Sequence, residues 1–194
     1  MTVKQQFFKA VYPLYVRVSK LSENKRKIIL HAPMVPLVSF YGLTAEDGNA
    51  ASFNLKDLAG RKILLVNTAS GCGFTQQFDA LQQLYKRYQE KLVVLAFPTT
   101  DFDRDDSNDE QIALFCKEQF RVSFPIMKKS VVKNGRRQNA VYRWLTDPQQ
   151  NGWNLQPPTW NFCKYLLNEQ GMLIGYFGAA IEPLSTEITT AIEQ

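Results

Sequence analysis

The sequence predicts an α/β fold in which helices cover both faces of a mixed central sheet. Two observations carry this. Ile63–Asn67 and Leu92–Phe97 are nearly continuous apolar runs, the pattern of strands buried on both faces. Between them Phe78, Leu81, Leu84, Tyr85 and Tyr88 recur at helical spacing over residues 75–89. A strand, a helix and a strand in this order form a crossover unit, so the two strands should be parallel. The wider pattern is β-α-β-α-β-β-α with an extra hairpin in front, which suits a sheet flanked by helices.

From the start of the chain, Phe7, Phe8, Val11, Leu14, Tyr15 and Val18 fall near helical spacing, so residues 1–27 read as a basic amphipathic helix, kinked or started at Pro13. Ser22–Lys27, Pro33 and Pro36 read as a linker. Residues 1–38 are thus an N-terminal extension, and residues 39–194 are the domain proper. Phe40–Leu43 and Ala51–Phe53 flank Glu46-Asp47-Gly48-Asn49 and predict a hairpin. Lys56–Leu58, before Gly60, is a short turn. After the strand at 92–97, Ser107 and Glu110 have capping-box spacing and should start a helix running to about Gln119. Phe124–Met127 is a candidate strand, Asn134-Gly135 a turn, and Val141–Leu145 a short helix. Asn161–Leu167 and Met172–Phe177 should form an antiparallel hairpin around residues 168–171. Leu184–Ile192 closes the chain as a helix, with Ser185 as cap.

Composition excludes several classes. With 194 residues, 45% apolar and 21% charged, the chain can bury a core and is not globally disordered. No apolar run approaches the roughly 20 residues of a membrane span. The net charge is +5, but residues 1–27 carry +6, leaving the remainder at −1. A nucleic-acid groove across the domain is therefore not expected, because phosphate binding needs clustered Lys and Arg on one face. The three cysteines, Cys72, Cys116 and Cys163, are odd in number and widely spaced, unlike a secreted disulfide framework. His31 is the single histidine, so neither a metal centre nor a Cys-His catalytic pair is expected. No cofactor is expected either. No signal peptide is recognisable near the start, which makes a cytoplasmic location the default.

Cys72 stands apart by position. It lies between a buried strand and the N-terminus of the next helix, where free backbone N–H groups and the helix dipole favour a thiolate. Such surroundings can lower a thiol pKa from ~8.5 into the 3.5–7.5 range. Gly71 and Gly73 leave room for a substrate. Thr75 occupies the place where a C-x-x-C oxidoreductase would carry its second cysteine, so a resolving thiol must lie elsewhere.

The run Ile63-Leu64-Leu65-Val66-Asn67-Thr68-Ala69-Ser70-Gly71-Cys72-Gly73-Phe74-Thr75 resembles the active-site signature of the glutathione peroxidase family. Phe97-Pro98 resembles the start of that family's second motif. Trp160-Asn161-Phe162 with Lys164-Tyr165-Leu166 resembles a third. Order and spacing also agree, and the likeness spans about residues 39–193. It implies a thioredoxin-like fold and a cysteine-dependent peroxidase. Cys72 would be the peroxidatic residue, with Trp160 and Asn161 positioning and activating it. Their N–H donors suit that role, since donors aimed at sulfur stabilise the thiolate and the charge developing on the peroxide oxygen.

The second motif departs from the family at Asp101, where a catalytic Gln is usual. An ionised Asp only accepts hydrogen bonds and would disfavour the Cys72 thiolate, whereas a protonated one could still donate. The glycine-rich continuation is replaced by Asp103, Asp105 and Asp106. The resemblance implies a hydroperoxide substrate, either hydrogen peroxide or an organic or lipid hydroperoxide. Thioredoxin or glutathione would be the reductant. It offers Cys116 as a resolving cysteine, one residue from the usual place, with packing in the core as the equal alternative; Cys163 is a lesser candidate. The short segment between Val131 and Trp160 resembles that of monomeric, thioredoxin-using members. The competing function is a non-catalytic or weakly active thioredoxin-like redox sensor or binding protein that has lost the Gln. Residues 1–27 could also make a weak contact with an anionic membrane surface.

Overall fold

The central strands form where the apolar runs demand them. In a computed structural model, which describes residues 23–102 and 107–194, Lys62–Thr68 is strand β4 and Leu92–Pro98 is strand β5, and all their residues are buried. They pair in parallel from Lys62↔Leu92 to Thr68↔Pro98. Helix α1, Gln77–Arg87, makes the crossover and buries Phe78, Leu81 and Leu84. On the other side of β4 lies β6, Lys164–Leu167, antiparallel, followed by β7, Leu173–Phe177. The sheet is completed by β1, Ile28–Leu30, giving the order β1-β7-β6-β4-β5. It is a mixed sheet, flanked by helices as expected.

Several elements differ from expectation. Residues 28–30 fall in the predicted linker, yet they form an edge strand by pairing with β7 (Ile28↔Phe177, Leu30↔Gly175). Phe40–Gly42 is a 3₁₀ turn, not a strand, because Phe40 is buried edge-on against Trp144 at 5.5 Å. The small hairpin is nevertheless present: β2, Ala45–Glu46, pairs with β3, Ser52–Phe53. Asp47 closes its turn, accepting from the amides of Asn49 and Ala51 at 2.9 Å each. Phe124–Met127 makes only isolated bridges, at Ile126 to Ala96 and at Met127 to Asp47, and Pro125 offers no N–H for a ladder.

Helix α2, Asp109–Phe120, starts one residue later than the capping pattern of Ser107 and Glu110 suggests. Asn108 is its cap: its side chain accepts from the Gln111 amide at 2.9 Å, and the Gln111 side chain accepts from the Asn108 amide at 3.0 Å. The chain closes with α3 (Ala140–Leu145), α4 (Pro148–Asn151) and α5 (Thr186–Glu193). Ser185 stands at the N-cap of α5 without a side-chain capping bond. Of the amphipathic helix expected over residues 1–27, residues 1–22 lie outside the described residues, as do Asp103, Asp105 and Asp106; the described remainder is a single 3₁₀ turn, Glu23–Lys25, leading into β1. No helix among the described residues is long and apolar enough to cross a membrane.

Candidate active site

Strand direction gathers the three motifs at one end of the sheet. β4 and β5 run parallel, so the loops after Thr68 and after Pro98 leave from the same edge. β6 runs the other way, with Val66 opposite Lys164, so residues 160–163 arrive at that edge as well.

Cys72 lies in the loop between β4 and α1 and is buried, with 4% of its surface exposed. The Phe74 amide points at its Sγ from 3.5 Å. Its carbonyl accepts from the Thr75 amide at 3.1 Å and from the Thr75 hydroxyl at 2.9 Å. The chain therefore starts to wind just after the cysteine, with the Phe74 amide facing its sulfur. An amide directed at sulfur stabilises negative charge there.

Asn67 holds the third motif in place. Fully buried at the end of β4, it donates from Nδ2 to the Trp160 carbonyl at 2.9 Å and accepts at Oδ1 from the Cys163 amide at 3.2 Å. Its carbonyl accepts from the Phe162 amide at 2.6 Å. The turn it clamps is sharp: Phe162 takes φ 66°, a left-handed conformation unusual for a non-glycine residue. This bend explains why residues 161–163 do not extend the β6 strand. Asn161 is fully buried, and Trp160 is half-buried against Phe102, with ring centroids 5.9 Å apart.

Asp101 reaches this end of the sheet, but its carboxylate is engaged with the segment before α3. One carboxylate oxygen accepts from the amides of Val132 and Lys133, each at 2.7 Å. Lys133 Nζ donates back to the Asp101 carbonyl at 2.7 Å and lies 4.4 Å from the centroid of the Phe102 ring.

The other two cysteines are deeply buried. Cys116 is on α2 with 1% exposure, and burial pushes its thiol up to about 12. Cys163 is fully buried, and its Sγ accepts from the Tyr176 hydroxyl at 3.4 Å. Behind it the buried Lys164 ammonium donates to the Gln77 side chain and to the Ile181 carbonyl; burial brings its pKa down to about 7.

Two contributors were not singled out from the sequence. Asn67 could have been noticed as a polar residue ending a buried run. Lys25 left no local signal: its Nζ lies 3.9 Å from the centroid of the Trp160 ring, a contact between distant parts of the chain.

Comparison with known proteins places these features in context. The family model described as glutathione peroxidase matches residues 40–146. Glutathione peroxidase-like peroxiredoxin 2 of Saccharomyces cerevisiae is 39% identical over 151 residues, covering 77% of this chain and 93% of the yeast protein. Glutathione peroxidase-like peroxiredoxin GPX5 of Chlamydomonas reinhardtii is 38% identical over 148 residues, covering 75% and 90%. Among solved structures, Trgpx in its apo form superposes with a TM-score of 0.63 at 33% identity, covering 81% of this chain and 97% of that one. A DsbF homologue from Corynebacterium diphtheriae gives 0.60 at 13% identity, covering 89% and 94%, a likeness of fold alone. The fold is thioredoxin-like.

Proposed function

Because the chain belongs to the glutathione peroxidase family and is a thiol peroxidase, we propose that Cys72 is the residue that attacks the hydroperoxide, with Trp160 and Asn161 positioning and activating it. The observation that supports this reading is the convergence of all three motifs at one end of the sheet, the end whose first loop carries a buried thiol with a backbone amide aimed at it.

The chemistry balances in three steps. Cys72 gives up its proton, and the thiolate attacks the terminal peroxide oxygen. The S–O bond forms as the O–O bond breaks, oxidising the sulfur by two electrons to a sulfenic acid. The departing oxygen takes a proton and leaves as an alcohol, or as water when hydrogen peroxide is the substrate. A resolving thiol, for which Cys116 is the candidate, then attacks the sulfenic sulfur. A disulfide forms, and hydroxide leaves and is protonated to water. A dithiol reductant finally returns both cysteines to thiols by exchange.

Thioredoxin suits this cycle better than glutathione, because a second cysteine in the chain makes the oxidised product an intramolecular disulfide. Hydrogen peroxide and organic or lipid hydroperoxides are the substrate class. Three widely spaced cysteines suit a reducing compartment such as the cytoplasm. One observation favours a second reading, a weakly active redox sensor: Asp101 stands where the family carries Gln and spends its carboxylate on the Val132 and Lys133 amides.

A steady-state peroxidase assay with thioredoxin and its reductase, run beside one with glutathione and its reductase, separates these readings. Sustained turnover with thioredoxin supports the peroxidase cycle. A single stoichiometric oxidation without turnover under either reductant supports the sensor.

A further inference from the structure

Lys25 lies outside the residues matched by the family model, yet it reaches the site. Its side chain is buried, with the residue 7% exposed, and its ammonium sits over the Trp160 ring at 3.9 Å from the centroid. The backbone that delivers it is fastened on both sides. The Lys25 carbonyl accepts from the Ala180 amide at 2.8 Å, and the Lys27 carbonyl accepts from the Gly178 amide at 2.8 Å. The Thr159 hydroxyl donates to the Asn24 carbonyl at 3.5 Å. Gly178 makes this approach possible, since a Cβ there would stand 2.4 Å from the Lys25 carbonyl oxygen. The strap then continues into β1 on the edge of the sheet.

A buried ammonium is costly unless its surroundings compensate it. An indole face is the best aromatic partner for a cation, and the attraction is strongest where water is excluded. The effect also runs the other way. A cation on the ring face draws electron density from the indole and leaves its N–H a stronger donor. We infer that Lys25 is a positioning residue for the peroxidatic thiol: its ammonium, strapped onto Trp160 by the chain before the matched domain, strengthens the indole donor and favours negative charge on Cys72. This rests on the proposed role of Trp160 toward Cys72.

Other ionisable groups border the same end of the sheet. Arg26 follows Lys25 on the strap. Lys133 lies over Phe102, and Asp101 is bound to the amides of 132 and 133. Cys163 with Tyr176, and Lys164 with Gln77, lie behind the Trp160 turn. None of these changes in a Lys25 variant, so a difference between variant and parent isolates the one ammonium.

The test uses the full chain with Lys25→Met, which keeps the aliphatic stem, Lys25→Gln as an independent uncharged variant, and Lys25→Arg, which keeps a cation for the ring. Alkylation of Cys72 by iodoacetamide is followed against pH by mass spectrometry of the Cys72 peptide, beside peroxide consumption. Both uncharged variants should move the alkylation midpoint up by about half to one pH unit. Rates below the midpoint then fall about three- to tenfold and converge with the parent above it. Lys25→Arg should stay within about twofold of the parent. An unchanged midpoint in the uncharged variants overturns the inference. So does an equal loss at every pH in all three variants, which would mark a structural role. The functional reading fails separately: peroxide consumption surviving in Cys72→Ser would refute that reading, while the alkylation profile would still report on Lys25.

Discussion

The resolving step offers the sharpest quantitative prediction. Cys116 lies within α2, 1% exposed, with its thiol pushed up to about 12 by burial. At pH 7 about one molecule in 10⁵ would carry a thiolate there, against about one in 30 for an ordinary thiol of pKa ~8.5. Even after the greater nucleophilicity of a high-pKa thiolate returns part of this, the closed helix holds back attack on a Cys72 sulfenic acid by roughly two orders of magnitude. If Cys116 resolves, it does so through an opened α2, and the helix ends set the rate. Asn108→Ala removes the side-chain acceptor of the Gln111 amide. A lost cap costs about 1 kcal/mol, which raises the opened population about fivefold. Disulfide formation should then run about fivefold faster. At the other end Arg121 holds φ 51°, a left-handed conformation that costs a non-glycine residue about 1 kcal/mol. Arg121→Gly should keep the helix closed and slow the disulfide by a similar factor. One equivalent of peroxide, alkylation quenching at successive times and peptide mapping of the Cys72–Cys116 crosslink measure both. A slower disulfide in Asn108→Ala, or shifts in the same direction in both variants, would refute the reasoning.

Two further predictions concern stability. Asp101→Ala orphans the amides of Val132 and Lys133, the first in a fully buried residue, and should cost about 2 kcal/mol in urea unfolding; Asp101→Asn keeps an acceptor and should cost less than half of that. Equal costs for the two would mean that the carboxylate does not hold this segment. Lys164, fully buried, has its pKa brought from 10.5 to about 7. Below pH 7 it is protonated whether folded or unfolded, and the full cost of burying the charge is felt; above 10.5 it is neutral in both states and that cost is gone. Between these limits the unfolded chain binds more protons, so the contribution to stability should rise with pH by up to about 1.4 kcal/mol per unit. Lys164→Met should lack that rise, and a parent-minus-variant difference that stays flat from pH 7 to 10 would contradict it.

The sequence made some of this legible for a plain physical reason. Ile63–Asn67 and Leu92–Phe97 sit at the centre of a sheet covered on both faces, so burial wrote itself into consecutive apolar residues. The loop carrying Cys72 followed from where the first run stops. Elements made by tertiary contacts were not legible. Ile28–Leu30 is a strand because β7 offers an open edge, and three residues between a basic stretch and prolines show no period. Phe40 reads as a strand residue because its segment flanks the turn at 46–49, but its position is set by Trp144, about a hundred residues away. The helix start moved from Ser107 to Asn108 because two adjacent residues could each cap, and the Gln111 side chain completes the box only with the second. At the site, Trp160 and Asn161 could be named from their motif, whereas Lys25 could not. Its contact with Trp160 depends on a strap docking at Gly178 and Ala180, which no local pattern encodes.

The central claim is tested most directly by trapping the oxidised sulfur. The Cys116→Ser variant, treated with one equivalent of hydrogen peroxide in the presence of dimedone, can be mapped by mass spectrometry for the labelled cysteine. The expected result is a dimedone adduct on Cys72, formed as fast as the peroxide disappears and absent when Cys72→Ser is added to the variant. Label appearing on Cys163 instead, or peroxide consumed at an undiminished rate without Cys72, would contradict the assignment.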